Sequence, residues 1–394
     1  MRRQSWIAIF LLGVAAAACG LSQTTVKADA RARDLGVPFE GSAGKLDAIT
    51  DVAGVEVGAT TLIRGDGPLK VGEGPVRTGV TVIFPRGKQN TDNVYAGWFS
   101  LNGNGEMTGT TWVEEAGLLK GPIGITNTHS VGVVRDSIIA WAVRQKLMKA
   151  DEWSLPVVAE TWDGWLNDIN GFHVKQADVF AALDSAEAGP VAEGNTGGGT
   201  GMVCYGFKGG TGTASRVLPK ESGGYTVGVL VQCNCGRRPQ LTIAGVPVGK
   251  ELTENVPYAE LQQVPGNEQK GDVGSIIIVV ATDAPLLPHQ LKRVARRASL
   301  GLARTGSVSG NGSGDIFIAF STANPHADDA PGPNAVQTVS TERISPLFEA
   351  TVEATEEAIV NAMVGAKTMT GVEGRTVVAL PHERLQQVLK KYGR

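Results

Sequence analysis

The stretch Gly271–Pro285, GDVGSIIIVVATDAP, places Ser275 between Gly274 and an unbroken apolar run, Ile276–Val280. Upstream, from about Thr253 to Asp272, the chain is polar and carries Pro257, Pro265 and Gly266. This pattern predicts an exposed loop running straight into a buried strand. A serine at the mouth of such a strand is held rigidly and is reached from the loop side. A cut between Gly274 and Ser275 would leave a hydroxyl and a free α-amine on one residue. An α-amine titrates at about pH 7.7–8.0, so it can act as the base for its own hydroxyl. The plain alternative is a small residue that starts a strand, and these residues alone leave both readings open.

A chain of 394 residues can bury a large core, in one large domain or two. Its net charge of −3, with no basic stripe, argues against a nucleic-acid partner. The 52 glycines point to many tight turns and close backbone approaches. At the N-terminus, Arg2 and Arg3 precede an apolar run from Trp6 to Ala18. That run is short for a bilayer span and reads as a signal peptide over residues 1–27, which predicts a periplasmic or otherwise exported protein. Ala16-Ala17-Ala18-Cys19 also resembles a lipoprotein cleavage box, with alanine where leucine is usual. Ordinary export is favoured over lipid anchoring at Cys19.

Cys204, Cys233 and Cys235 remain, an odd number that predicts buried thiols rather than a disulfide framework. No Cys or His partner stands at structural-zinc spacing, so no metal is expected.

Leu46–Val57, Gly79–Phe84, Ile123–Thr128, Leu155–Glu160, Tyr225–Val231 and Ile316–Phe320 read as strands. Helices are expected over 136–148, 175–186, 288–302, 344–366 and 383–392, with Glu353, Glu356 and Glu357 on the polar side of the long one. Asn90–Met107 reads as a structured loop. Glu193 is expected to be a solvated loop charge.

The glycine-dense stretch 194–212 lacks the Lys-Ser/Thr ending of a phosphate-binding loop, so close backbone packing or simple loops are expected there. No Ser-His-Asp spacing stands out, and His173, His289 and His382 are expected to be structural. Ser313 and Asp315, in the turn Asn311–Asp315, offer a hydroxyl and a carboxylate able to orient an amine at Ser275. Asn234, at a strand end, offers an amide to an oxyanion. Each also fits an ordinary turn or a capping residue.

Longer blocks carry a resemblance: ITDVAGVEVG (49–58), VVAETWDGWLNDING (157–171), GPVAEGNTGGGTGMVCYGFKGGTGTASR (189–216), VGVLVQCN (227–234), SIIIVVATDAPLLPHQLKRVARRA (275–298) and NGSGD (311–315). In this order, from about Arg31 to the C-terminus, the chain resembles the self-processing aminopeptidases of the DmpA/BapA type. The resemblance implies an α+β fold, a four-layer αββα sandwich of the N-terminal-nucleophile-hydrolase kind. It implies self-cleavage at Gly274–Ser275 into an α chain (28–274) and a β chain (275–394) that stay associated, with Ser275 as nucleophile. Ser313 and Asp315 then position its amine, Asn234 donates to the oxyanion, and Glu160 receives the substrate's free amino group.

Trp162 stands where one branch of the family carries a tyrosine that assists the oxyanion and another an apolar residue. An indole N–H donates but takes no proton, so Trp162 is expected to line the pocket. The similarity is closer to the β-peptidyl branch. No cofactor is implied, the substrate is a short peptide or amide with a free N-terminus, and the assembly is a homotetramer. Two rival readings are an acyltransferase of the ornithine acetyltransferase kind and a non-catalytic exported binding protein. The former uses threonine, so Ser275 and the leader count against it.

Overall fold

The computed structural model describes residues 30–257, 274–326, 328 and 332–394. The stretch 1–27 expected to be a signal peptide, with Cys19, and most of the polar stretch 253–272 expected to be a loop lie outside the described residues. In chain order come β1 (Glu56–Arg64), β2 (Val76–Phe84), β3 (Val94–Gly103), α1 (Thr110–Ala116), β4 (Leu118–Leu119), β5 (Ile123–Asn127), α2 (Val131–Arg144), β6 (Val157–Thr161) and α3 (Gln176–Ser185). There follow β7 (Val203–Cys204), β8 (Phe207–Lys208), β9 (Gly210–Val217), β10 (Thr226–Asn234), α4 (Val248–Glu251), β11 (Ser275–Thr282), α5 (Pro288–Arg304) and β12 (Gly314–Ser321). The chain closes with α6 (Ser345–Val364), β13 (Met369–Thr370), β14 (Thr376–Val377) and α7 (His382–Lys391).

Two sheets carry the fold. One has the order β1-β2-β5-β6 and the other β4-β3-β12-β11-β10-β9. β11 lies inside the larger sheet, antiparallel to β10 and parallel to β12. Its side chains alternate between two cores, as a period of two dictates. Ile277, Val279 and Ala281 meet Leu230, Ile83 and Ile125 between the sheets. Ile276, Ile278 and Val280 meet Leu291, Ala298 and Ile359 beneath α5 and α6. On the far side Val80, Val82 and Val158 pack under α2 and α3, against Ile138, Trp141, Val179 and Leu183. The layers are therefore αββα, as expected. Each fully buried Ile or Val of β11 contributes about 1.5–3 kcal/mol relative to exposure.

The segment 90–107, expected to be a loop, contains the ten-residue strand β3. Apart from Gly97, its asparagines and glycines lie at the ends of the strand or beyond them, while Phe99 packs on Phe317 with ring centroids 6.5 Å apart. Gly97 is required there, because a Cβ would sit 2.3 Å from the Lys292 backbone nitrogen of α5. Leu46–Val57, expected as a strand, turns first through a 3-10 helix at Ile49–Asp51. The Asp51 carboxylate accepts the backbone N–H groups of Leu46 and Ala48, at 2.9 and 3.1 Å, which favours the turn over a ladder.

Three charges differ from expectation. Glu357 of α6 is fully buried, bound by Arg33 at 2.6 and 2.7 Å and by Arg216 at 2.8 Å. Glu356 pairs with Arg304 at 3.1 Å. Glu193 takes Arg31 Nε at 2.8 Å and the Thr213 N–H at 2.9 Å. Burial, and then the charge of Glu357, push the nearby Asp47 carboxyl up to about 7. Removing one partner of a buried pair strands the other charge. Glu357→Ala is therefore expected to cost about 3–5 kcal/mol of stability, measured by urea denaturation; a loss below 1 kcal/mol would contradict this reading.

Cys204 and Cys233, expected to be thiols, form a disulfide across 5.8 Å between Cα atoms. Cys235 is buried beside them, its sulfur 3.9 Å from that of Cys233. The pairing arises because β7 folds back onto the end of β10, where the Tyr205 N–H donates to the Cys235 carbonyl at 2.7 Å.

Candidate active site

Three strand ends meet at Ser275. In register, Ser275 faces Asn234 of β10 on one side and Gly314 of β12 on the other. It is 5% exposed. The Gly314 N–H donates to Ser275 Oγ at 3.1 Å and also to the Gly274 carbonyl oxygen at 3.3 Å. One donor thus contacts the hydroxyl and the carbonyl of the peptide bond that precedes it. Gly274 admits no side chain, since a Cβ would lie 2.0 Å from the Asn234 carbonyl oxygen and 2.7 Å from Cys235 Cα.

Ser313 and Asp315 are fully buried beside Ser275. The Ser313 hydroxyl donates to Asp315 Oδ1 at 2.7 Å, and the same oxygen accepts the N–H of Ile276, next after the serine, at 3.2 Å. An irregularity in the pairing of β12 with β3 falls between Asp315 and Ile316, where a bulge re-aims a side chain. Asn234 is fixed at both ends of its amide. Its Oδ1 accepts the Val203 N–H at 2.7 Å and its Nδ2 donates to the Trp162 carbonyl at 2.9 Å. These partners set the amide orientation and leave Nδ2 one further proton to donate.

Glu160, near the end of β6, is 3% exposed. Its carboxylate accepts the Glu106 N–H at 3.0 Å and the Thr128 hydroxyl. Burial pushes its pKa up, and these two hydrogen bonds oppose that rise. Gly105 links it to the serine. A Cβ there would fall 3.2 Å from Glu160 Oε1 and 3.1 Å from Gly314 Cα. The structure thus gathers Ser313, Asp315, Asn234 and Glu160 around the paired Ser275 and Gly314. Trp162 joins this set through its carbonyl, and its half-buried indole packs over Gly164. His173 bonds Asp168 at 2.8 Å and His382 the Val364 carbonyl at 2.9 Å, structural roles as expected.

Sequence reasoning missed the residues that hold the 310–314 turn. Asn102 Nδ2 donates to the carbonyls of Ser313 and Gly310, and Asn104 Nδ2 to that of Gly312 at 2.9 Å. The asparagine and glycine richness of 102–105 was the only signal. The glycine stretch does pack closely, as expected. A Cβ on Gly201 would sit 2.3 Å from the Arg77 carbonyl oxygen. Among the described residues, the side chains close enough together to ligate a metal are Cys204, Cys233 and Cys235, and the disulfide occupies the first two.

An αββα sandwich with a buried serine opening its central strand, next to an amide donor and a carboxylate, defines a hydrolase of the N-terminal-nucleophile fold class. The model of Peptidase family S58 matches residues 47–377. The chain is 57% identical over 369 residues to the beta-peptidyl aminopeptidase BapA of Sphingosinicella microcystinivorans, covering 92% of this chain and 93% of that protein. It is 50% identical to the enzyme of the same name from Sphingosinicella xenopeptidilytica over 376 residues, 94% of this chain and 93% of that one. The L-aminopeptidase D-Ala-esterase/amidase of Ochrobactrum anthropi superposes with a TM-score of 0.84 at 50% identity, over 92% of this chain and 99% of that one. The chain belongs to peptidase family S58 and is a serine-type aminopeptidase with the N-terminal-nucleophile fold.

Proposed function

We propose that the chain cuts itself between Gly274 and Ser275 and then releases N-terminal residues from short peptides, amides or esters, β-peptides in particular. The observation that carries this reading is the Gly314 N–H, which contacts both Ser275 Oγ and the Gly274 carbonyl oxygen. In the precursor, Oγ adds to the Gly274 carbonyl carbon. The C–N bond breaks, the hydroxyl proton passes to the departing nitrogen, an ester replaces the amide and the α-amine of Ser275 is freed. Water then hydrolyses the ester, leaving Gly274 as a carboxylate.

In turnover, the α-amine takes the hydroxyl proton as Oγ attacks the substrate carbonyl. The Ser313–Asp315 pair holds that amine. The spare Nδ2 proton of Asn234 and the Gly314 N–H meet the oxyanion, where one donor contributes about 3–4 kcal/mol. The leaving amine receives the proton from the ammonium, and water releases the acyl group. Glu160 binds the substrate's ammonium group. The two chains, 28–274 and 275–394, stay together through the pairing of β11 with β10 and the contacts of Arg33 and Arg216 with Glu357. The names of the two Sphingosinicella relatives support a β-residue preference. The charged and apolar pattern of residues 1–27 supports export to the periplasm, and the family resemblance supports a homotetramer.

The test compares β-alanine p-nitroanilide with its N-acetylated counterpart. Cleavage of the free amine at least about 100-fold faster is expected, since acetylation removes the charge that Glu160 binds. Equal rates would contradict the aminopeptidase reading.

A further inference from the structure

Phe172 is 58% exposed and sits at φ 49°, ψ 50°, left-handed backbone that a bulky residue rarely occupies. Its ring stacks on the exposed imidazole of His129, with centroids 5.9 Å apart and planes 20° from parallel. The loop beneath is built to hold it there. Asp168 Oδ2 binds His173 at 2.8 Å and the Gly72 N–H at 2.8 Å, and Lys175 Nζ reaches the Phe172 carbonyl. Gly171 is needed at this point, because a Cβ would lie 2.2 Å from both Asp168 Oδ2 and His173 Nε2. The chain just before the partner ring is anchored too. His129 follows Thr128, whose hydroxyl binds Glu160, and Asn127, whose amide binds Thr78 and Asp163. The imidazole lies within electrostatic reach of the Glu160 carboxylate. Exposed aromatic rings that bury little of their own surface, held out by a rigid loop, are spare contact area for a ligand.

We infer that His129 and Phe172 form the subsite that reads the side chain on the amine-bearing carbon of the substrate's first residue, and that they favour an aromatic or large aliphatic group there. This rests on the reading that Glu160 receives the substrate's ammonium group. A substituent on the amine-bearing carbon branches one bond from that ammonium, so it emerges beside Thr128 and His129. A substituent on the carbon next to the carbonyl branches nearer Ser275 and away from the rim. Unsubstituted β-alanine reaches neither. The rim therefore separates β-residues by the position of their side chain as well as by its size.

The test measures kcat/KM for the p-nitroanilides of β-alanine, β3-homophenylalanine and β2-homophenylalanine, with wild type, Phe172→Ala, Phe172→Tyr and His129→Ala. Phe172→Ala is expected to lose about tenfold or more on the β3 substrate while β-alanine changes less than about threefold. Phe172→Tyr keeps the preference, and His129→Ala shows the same selective loss on a smaller scale. Thermal unfolding of Phe172→Ala matches wild type. An unchanged β3-to-β-alanine ratio, or an equal fall on all three substrates, overturns the subsite. A wild type that hydrolyses none of the three removes the β-residue reading itself, and the subsite with it.

Discussion

Ser275→Ala is expected to remain a single chain and to lose turnover by about 10⁴- to 10⁶-fold, the scale on which removal of a nucleophile acts. The two losses share one cause. In the proposed mechanism Oγ attacks both Gly274 and the substrate, and alanine has no replacement for it. The fold should survive, because Ser275 Oγ accepts one hydrogen bond, from Gly314, and that N–H retains the Gly274 carbonyl at 3.3 Å. Intact mass checks the uncut chain, a turnover assay the lost activity, and near-UV circular dichroism the fold. A Ser275→Ala protein that is cut and active would sink the mechanism.

Glu160→Gln is expected to process itself normally and to lose kcat/KM on substrates with a free N-terminus. The loss is about 2–5 kcal/mol, or roughly 30- to 4,000-fold, the cost of truncating one partner of a buried hydrogen-bonded charge pair. Glutamine keeps the shape and can still accept the Glu106 N–H, while the Thr128 hydroxyl turns from donor to acceptor. Self-cleavage has no cationic substrate, so it does not need the charge.

The pH dependence follows from the same burial. The Glu160 carboxyl is held above the ordinary carboxylate range, and binding an ammonium needs its ionised form. Activity therefore rises with pH through that raised pKa and is lost as pH falls below it. The proposed self-cleavage adds a second acid limb, from the Ser275 α-amine it would free, which must be neutral to act as base and titrates at about 7.7–8.0 when unperturbed. Glu160→Gln removes the lower limb and leaves the upper one. If the variant keeps both limbs and full kcat/KM, another group binds the amine.

What the sequence made legible was local or repetitive. The run after Ser275 was readable because a strand buried on both faces needs apolar residues without alternation. The helix at 288–304 was readable because Leu291, Val294, Ala295, Ala298 and Leu302 recur on one face and Pro288 opens it. What stayed hidden depends on partners far along the chain. Arg33 and Glu357 are 324 residues apart, and nothing near either marks the other. Asn102 and Asn104 act on carbonyls about 200 residues away, so their side chains read as ordinary loop polarity. The disulfide was hidden because an odd cysteine count says nothing about which two meet. Trp162 adds a contact that no side-chain pattern displays: its backbone carbonyl accepts the hydrogen bond that orients Asn234.

The most direct test of the central claim is the intact mass of the purified wild-type protein, with N-terminal sequencing of each fragment. Self-processing predicts two fragments that co-purify, the smaller beginning Ser275-Ile276-Ile277 and running to Arg394. A single chain that stays intact on long incubation, yet hydrolyses a free-amine substrate at full rate, would contradict it.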